Sequence, residues 1–582
     1  MVLPIFLAVL SCTSVLGAIY EKFADLPTQD FNYIIVGGGT AGNVLANRLT
    51  EDPYVSVLLL EAGVSTTDVL LSEVPFFCSR VVPGTPLDWN FTTTEQPGLK
   101  GRSIQLPRGV GLGGSSAVIY TRGSSQDYDR YAHVSGNDAW GWDALQPYFR
   151  ENERFVAPAD NHNTTGQFDP AVHSFNGINL VSLSGYPRGT DNHVIQTTAE
   201  LSDEFPFNLD YNSGYQLGVG WAPTATGNGT RSSSQTSYLA PKYIERPNLH
   251  VLIHAHVTRI LQSRKENLHG SPVFDAVGFT QDAGVSIHTL APPGLKEIIL
   301  SAGSIGTPHT LLHSDIGDDA ELATLGIPST LHLPDVGKNL TDHPGWNILF
   351  SVNSTDTIEN VYYRNITFQR EALAEWHASK AGYLTASIAN QIGFLRVPED
   401  TGVLEGEPCA GSETAHYELI FVNGDFRESE VPETGNFFRI STIVLCPLSR
   451  GTVTINSTNP LDPPLINPNY LSHPQDVAIM QYALAIAQKF VTVWVWNGYI
   501  LDNLVDDIRN GAYSLHHPVD TASMSPAGAY WGVVDPDLKL KGTEGVRIVD
   551  ASVMPFVPVG HTQAAAYVIA ERAADLIKSG DI

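Results

Sequence analysis

The stretch Tyr33–Leu49, YIIVGGGTAGNVLANRL, decides the fold. Tyr33–Val36 is a short apolar run typical of a buried parallel strand, and an apolar helical pattern follows from Thr40 and Ala41 onward. Between them lie three glycines with the spacing G-x-G-x-x-G: Gly37, Gly39 and Gly42. The first permits a tight turn, the second lets backbone approach a pyrophosphate, and the third lets the helix pack on the strand. The helix N-terminus then stabilises the phosphate charge.

A second buried-strand run, Val55 to Leu60, completes this unit and ends in Glu61. The acid lies about 20 residues beyond the glycines, where a dinucleotide-binding fold places the residue that accepts hydrogen bonds from ribose. We expect Glu61 to accept both ribose hydroxyls, and its charge argues against a 2′-phosphate. The stretch therefore predicts a Rossmann-type domain, and its position near the start of the mature chain suits FAD.

The bulk composition is that of a globular, acidic protein. The 582 residues exceed what one hydrophobic core accommodates, so we expect two domains or more. Lysine and arginine number 33 against 61 aspartates and glutamates, a net charge of −28 that disfavours nucleic acid and anionic membranes as partners. Of the four cysteines, Cys409 and Cys446 are able to pair, but the spacing indicates neither a disulfide framework nor a metal site. Oligomeric state stays open, and a monomer is compatible with the sequence.

Residues 1–18 have the character of a secretory signal peptide. Leu3 to Leu16 is mostly apolar, and the small pair Gly17 and Ala18 lies near a fitting cleavage point, although no Lys or Arg precedes the run. The run is shorter than the ~20 residues that a spanning helix needs. Sequons for N-glycosylation support passage through the secretory pathway, and they begin at Asn90, Asn163, Asn228, Asn339, Asn353, Asn365 and Asn456. We expect a secreted, extracellular glycoprotein.

Four further motifs follow the glycine-rich stretch in the chain. LPRGVGLGGSS occupies 106–116, SAGSIGTP occupies 301–308 and VGKNLTDH occupies 336–343. VRIVDAS at 546–552 reads as a strand-to-turn pattern, and it precedes GHTQ at 560–563 and a predicted helix from about Ala564 to Ile577. In this order the motifs resemble those of the glucose–methanol–choline (GMC) oxidoreductase family over nearly the whole mature chain.

Within that family, three other stretches are most similar to fungal aryl-alcohol oxidases. They are GNGTRSSSQTSYLAP at 227–241, HHPVDTASMSP at 516–526 and WGVVDPDLKLKG at 531–542. Pyranose dehydrogenases share much of this pattern and are the nearest alternative.

The resemblance implies the GMC fold: an α/β protein in which a Rossmann-type FAD-binding domain is interleaved with an α+β substrate-binding domain. We place the FAD-binding domain at 30–130, 225–345 and 515–582, and the substrate-binding domain at 131–224 and 346–514. The implied cofactor-binding residues are Gly37, Gly39, Thr40, Ala41, Gly42, Glu61, Gly113, Gly114, Ser115, Ser116, Val257, Asp550, Ala551, Thr562 and Gln563. Pyranose dehydrogenases can link flavin covalently through a histidine just after the GGxS motif. No histidine lies between Ser116 and Tyr131, so we expect noncovalent FAD.

Two histidines are the candidate catalytic residues. Oxidising an alcohol removes a hydroxyl proton as well as a hydride, and a base that titrates near neutrality suits the proton best. By resemblance to aryl-alcohol oxidases, His517 is the base and His561 positions the alkoxide. His516 is the candidate that shapes access or competes as the base, and Phe426 is a candidate aromatic gate of the substrate pocket.

The implied reaction converts a primary aryl or allylic alcohol to an aldehyde, with hydride transfer to flavin N5 and reduction of O2 to hydrogen peroxide. Two alternatives stay open. One is a pyranose or glucose dehydrogenase of the same family that uses quinone acceptors. The other is a catalytically impaired flavin-binding relative.

The impaired alternative follows from four departures from the family pattern. A few residues are missing after Ser116, and Val110 stands where a basic residue is usual. Asp315 and Asp520 replace glycines, which would strain a turn if φ is positive there. The stretch from 489 to 516 is also shorter than in relatives.

Overall fold

The computed structural model describes residues 18–27, 30–116, 118–262, 270–425, 431–494, 497–498 and 504–580. Within these ranges, none of the helices combines the length and the apolar character that a membrane crossing requires. Nearly all of the signal peptide predicted at 1–18, and the predicted gate Phe426, lie outside the described residues.

A parallel sheet forms the base of the fold. Its strands, in spatial order, are Ala18–Tyr20, Leu249–Leu252, Val57–Leu60, Tyr33–Val36, Glu297–Leu300 and Val546–Ile548. Tyr33–Val36 and Val57–Leu60 are buried throughout, because helices cover the sheet and apolar side chains fill both faces. The helix Thr40–Leu49 packs against the C-terminal helix Gln563–Gly580. Together these elements form the doubly wound α/β layer that the sequence predicts.

An antiparallel sheet forms the second layer. Its strands, in spatial order, are Asn497–Gly498, Pro344–Ser351, Phe437–Val444, Tyr417–Val422, Gln391–Leu395 and Gly218–Trp221, and Tyr513–Ser514 also pairs with Pro344–Ser351. The helix Pro474–Phe490 covers one face of this sheet and buries Ile479, Met480 and Leu484 among others. The other face helps to line the cavity described below.

Smaller sheets and the remaining helices complete the fold. A three-stranded sheet consists of His256–Leu261, Ala276–Thr280 and His288–Leu290. Two-stranded pairs are Glu153–Phe155 with Asn179–Val181, Thr226–Gly227 with Thr230–Arg231, Ile316–Gly317 with Leu331–His332, and Thr452–Thr454 with Leu465–Asn467. The remaining α-helices are Leu70–Glu73, Cys78–Val81, Ser125–Ser135, Trp142–Asn152, Asp191–Glu200, Ser234–Tyr238, Pro241–Ile244, Gly303–His313, Asp319–Thr324, Ile366–Ser379 and Leu504–Gly511.

The predicted combination of a Rossmann-type parallel sheet with a second, α+β layer is observed, while the predicted domain boundaries stay predictions. Most strands of each sheet come from the segments assigned to the corresponding domain. Two elements run across predicted boundaries, namely the helix Ser125–Ser135 and the strand Pro344–Ser351. The edge strand Ala18–Tyr20 lies ahead of the predicted start of the FAD-binding domain.

Cys409 and Cys446 form a disulfide with Cα atoms 5.3 Å apart. The structure thus contains the pairing that the sequence left open. The bond ties the loop before the strand Tyr417–Val422 to the residue two positions after the strand Phe437–Val444.

Both aspartates that replace glycines adopt a left-handed backbone. Asp315 has φ 63° and Asp520 has φ 71°. Aspartate tolerates this conformation better than most residues, since its short side chain can hydrogen-bond locally. The predicted condition for strain is therefore met at both turns.

Candidate active site

The glycine-rich loop is shaped by close backbone contacts. Gly37 has φ 102°, and a Cβ atom on Gly42 would lie 1.9 Å from the carbonyl oxygen of Gly37. Gly42 therefore serves the packing of helix on strand. A Cβ on Gly39 would meet only the Cα of Gly114, at 3.9 Å, so Gly39 presents open backbone to the cavity. The first N–H of this helix to bond back is that of Asn43, to the Gly39 carbonyl at 3.3 Å, and the helix N-terminus ahead of it favours an anion.

Glu61 ties three loops together. Its Oε2 accepts from the Gly38 N–H at 2.8 Å, and its Oε1 accepts from the N–H groups of Gly63 at 2.8 Å and Gly111 at 2.9 Å. A carboxylate offers about four acceptor positions. Backbone donors already use three of these positions. Glu61 therefore has about one acceptor position left for a ribose hydroxyl, where the sequence predicted bonds to both hydroxyls.

One large cavity runs from Glu61 to the predicted catalytic histidines. Its volume is about 1900 Å³, which exceeds the ~300–1,000 Å³ of single-ligand pockets and leaves room for a cofactor and a substrate together. All predicted cofactor-binding residues line it except Gly42 and Gly113. Gly113 instead donates its N–H to the Gly38 carbonyl at 2.8 Å. The open Gly39 backbone, the helix N-terminus and the length of the cavity fit a dinucleotide such as FAD.

His517 and His561 face each other at the far end of this cavity. Their ring centroids are 5.0 Å apart at an interplanar angle of 81°, and each residue is only 8% exposed. The predicted pair is thus brought together by loops that are distant in sequence.

His517 is held through its backbone and its ring. Asp342 Oδ1 accepts the His517 N–H at 2.7 Å and the His343 N–H at 2.8 Å, so one carboxylate fixes both histidine backbones. The hydroxyls of Ser514 and Tyr470 both donate to the other oxygen of Asp342. The His517 Nδ1 lies 3.0 Å from Nδ1 of His343.

His561 is held on the opposite side by the antiparallel sheet. Its Nε2 lies 3.1 Å from Glu418 Oε1, a fully buried carboxylate on the strand Tyr417–Val422. Its backbone N–H donates to Thr121 Oγ1 at 2.9 Å. This contact and the backbone bond to Thr121 fix the position of the His561 ring at the end of the cavity.

Burial controls the protonation of the histidines around His517. Burial lowers the pKa of His517 well below its usual value, and the facing His561, His343, His516 and Arg108 lower it further. Burial also lowers the pKa of His343 to about 3. A neutral imidazole is therefore the resting form of both rings at neutral pH.

His516 faces the cavity with a strained backbone. Its φ is 66°, and its carbonyl accepts from Arg108 Nη1 at 2.6 Å. The accessible surface of His516 faces the inside of the cavity, so protein surrounds the ring on its other sides. This enclosure, together with the charge of Arg108, lowers the pKa of His516 to about 4. His516 lines the cavity, and its influence on access stays a prediction.

The antiparallel sheet and the strand Tyr513–Ser514 contribute a largely polar wall. Asn347 Oδ1 accepts from Ser441 Oγ at 2.7 Å and from the Tyr513 hydroxyl at 3.0 Å. Arg439 lies on the same wall, and its guanidinium is 3.4 Å from Asp425. Among the described residues of this wall, Tyr513 provides the aromatic ring.

The segment after Ser116, which is shorter than the family pattern, borders the cavity. Ser116 and Val118 both line it, while Ala117 between them lies outside the described residues. Gln563 Nε2 donates to the carbonyl of Ile119 at 2.9 Å, which anchors this segment to the C-terminal helix.

The seven predicted glycosylation asparagines are all exposed to solvent or to the cavity mouth. Asn90 and Asn456 also line the cavity. Their exposure is compatible with glycosylation, which stays a prediction.

Three residues of the site were not singled out from the sequence: Asp342, His343 and Glu418. The first two close the motif VGKNLTDH, which was recognised as a family signature without a role for its last two residues. Glu418 lies in an apolar strand, YELIFV, where a buried acid is the one available signal.

The fold and the cavity are those of a dinucleotide-binding protein with two buried histidines at the far end of the cavity. Comparison with known proteins is consistent with this class. The GMC oxidoreductase family models match residues 31–345 and 447–570. The chain belongs to the GMC oxidoreductase family, whose members bind FAD, and the predicted resemblance is confirmed.

Individual relatives differ in activity. The chain is 40% identical to the dehydrogenase eriK of Hericium erinaceus, over 98% of this chain and 97% of the relative. It is 36% identical to pyranose dehydrogenase 2 of Leucoagaricus meleagris, again over 98% and 97%. The solved structure of a fungal aryl-alcohol oxidase superposes with a TM-score of 0.80 at 25% identity, covering 95% of this chain and 99% of that one.

Proposed function

We propose that the protein is an FAD-dependent alcohol oxidoreductase in which His517 removes the hydroxyl proton. The observation that carries the proposal is the pair of buried imidazoles, 5.0 Å apart, at the end of a cavity that begins at a dinucleotide-type loop. FAD, when bound, supplies the acceptor for the hydride. The cavity-lining residues of the predicted cofactor-binding set would hold FAD, and we propose that they bind it noncovalently.

The two histidines divide the work of handling the proton. His517 is neutral at rest, because burial lowers its pKa, and a neutral ring has one nitrogen free to accept a proton. His561 has its Nε2 directed to Glu418, which orients its ring toward the substrate oxygen. A hydrogen bond from His561 to the substrate oxygen would stabilise the negative charge that develops there as the proton leaves.

The polar wall favours a hydroxyl-rich substrate such as a pyranose. Asn347, Ser441 and Tyr513 supply directed hydrogen-bonding groups, which a sugar needs and a flat ring does not. The similarity to a pyranose dehydrogenase over nearly the whole chain supports this choice. The second candidate is a primary aryl or allylic alcohol, supported by the motifs at 516–526 and 531–542 and by the structural similarity to an aryl-alcohol oxidase.

We further propose a quinone-type acceptor over O2, since the more similar curated relatives are dehydrogenases by name. Secretion is proposed as well, because the Cys409–Cys446 disulfide belongs to an oxidising compartment and the sequon asparagines are exposed.

Anaerobic flavin reduction tests the proposal. The yellow holoenzyme is mixed without oxygen with glucose, other pyranoses, anisyl alcohol and cinnamyl alcohol, and the flavin absorbance is followed. We expect bleaching by at least one pyranose, followed by reoxidation with benzoquinone faster than with air. Bleaching by the aryl alcohols alone would show that the second candidate, an aryl or allylic alcohol, is the substrate class. A flavin spectrum that no alcohol bleaches would overturn the proposed activity and favour a catalytically impaired relative.

A further inference from the structure

His343 and His517 make a contact that determines where protons lie. Nδ1 of His343 is 3.0 Å from Nδ1 of His517, and Nε2 of His343 is 2.9 Å from the carbonyl oxygen of Leu445. His343 is fully buried. A carbonyl only accepts hydrogen bonds, so Nε2 of His343 must carry a hydrogen.

The remaining assignments follow by elimination. A neutral imidazole has one N–H, so Nδ1 of the neutral His343 holds a lone pair and accepts. His517 must then donate from its own Nδ1. The lone pair of His517 is left on Nε2, the nitrogen that has no partner among the described residues.

The surrounding structure permits little departure from this geometry. Asp342 fixes the backbones of both histidines. The Leu445 N–H donates to the His416 carbonyl at 3.0 Å, and the next residue, Cys446, is held by the disulfide to Cys409. The carbonyl that sets the orientation of His343 is thus anchored from both sides.

Building on the proposed function, we propose that His343 is a positioning residue that holds His517 in the Nδ1–H tautomer, so that Nε2 is the base. In the proton-transfer step the O–H bond of the alcohol breaks and an N–H bond forms at Nε2. The Nδ1–H of the resulting imidazolium continues to donate to His343. No electrons are exchanged in this step, since the hydride leaves from carbon.

Three substitutions of His343 separate positioning from mere packing. In H343N the side-chain oxygen occupies the place of Nδ1 and still accepts from His517. In H343Q the amide reaches the place of Nε2, so the bond to Leu445 survives while the acceptor for His517 is lost. H343L keeps neither bond. H517A serves as the reference in which the base itself is absent.

We expect H343Q and H343L to lower the rate constant for anaerobic flavin reduction on the order of 10²-fold, with little change in the dissociation constant of the alcohol. H343N should retain activity within roughly one order of magnitude. A structural role alone predicts the reverse order, with H343Q the milder change because it keeps the tie to Leu445.

Neutron diffraction of the deuterated, unsubstituted holoenzyme gives a second readout that depends on no variant. We expect deuterium on Nδ1 of His517 and on Nε2 of His343. Deuterium on Nε2 of resting His517, or unimpaired reduction by H343Q and H343L while H517A is slow, would overturn the positioning role and leave the proposed function standing. Unimpaired reduction by H517A would overturn the proposed function, and the positioning role with it.

Discussion

Replacing Asp520 by asparagine should stabilise the protein at neutral pH. The Asp520 side chain is buried, at 4% exposure, and its Oδ1 has no hydrogen-bond partner among the described residues. Burial raises the pKa of Asp520 well above its usual value, and the charge of Asp335 raises it further. A hydrogen bond from Ser523 and the charges of Arg450 and Arg130 lower the pKa, but their combined effect is smaller than that of burial. Asparagine tolerates the left-handed backbone equally well and carries no charge.

The sign follows from proton linkage. The folded protein keeps a proton on Asp520 that the unfolded chain releases near pH 4, so Asp520 costs stability as the pH rises above that value. Each unit by which the pKa is raised costs about 1.4 kcal/mol at neutral pH. A gain of about 1–3 kcal/mol at pH 7, the equivalent of one or two such units, is therefore expected for D520N. For a chain of this length, with ~2 cal/mol/K of unfolding entropy per residue, the shift in Tm is about 1–3 °C.

Thermal scans of the holoenzyme at pH 7 and pH 4 provide the assay. The gain in Tm for D520N should be present at pH 7 and nearly absent at pH 4, where the unfolded carboxyl is itself half protonated. D315N is the matched control, because Asp315 shares the positive φ but is only partly buried, and it should shift Tm by less than half as much. A D520N protein no more stable than the parent at pH 7, or equally stabilised at both pH values, would refute the reasoning.

Three further predictions concern the cofactor loop, the base and the disulfide. Gly42→Ala should purify with little flavin absorbance, since its Cβ would meet the Gly37 carbonyl at 1.9 Å; full flavin content would contradict the packing role. The rate constant for flavin reduction should stay level as the pH falls to 6.5 and decline only below it, because the pKa of His517 is lowered; an acid limb centred at or above 6.5 would contradict this. Cys409→Ala with Cys446→Ala should lower the free energy of unfolding by about 4 kcal/mol from chain entropy alone, given a separation of 37 residues; an unchanged Tm would argue against a native bond.

The parallel sheet could be predicted because its signal is local. The strand Tyr33–Val36, its glycine turn and the helix Thr40–Leu49 are contiguous, and each residue type has a distinct steric reason to be there. The edge strand Ala18–Tyr20 was not foreseen, since it pairs with Leu249–Leu252 and nothing near residue 18 indicates that partner. The register of the antiparallel sheet was beyond reach for the same reason.

In the candidate site, too, the residues that lie in local motifs could be predicted, and their partners from distant parts of the chain could not. His517 and His561 were chosen because motifs surround them. Their supports were missed, because the contact of His343 with His517 spans 174 positions and that of Glu418 with His561 spans 143. Chain spacing carries no information about such contacts, although the terminal His of VGKNLTDH and a lone acid in an apolar strand were visible signals.

The most direct test of the central claim is stopped-flow measurement of flavin reduction in H517A without oxygen, with the best alcohol of the substrate panel. The account predicts that the limiting rate constant falls at least ~10²-fold relative to the parent enzyme while the flavin spectrum and content are retained. A rate constant within a few-fold of the parent would show that His517 is not the base that takes the alcohol proton.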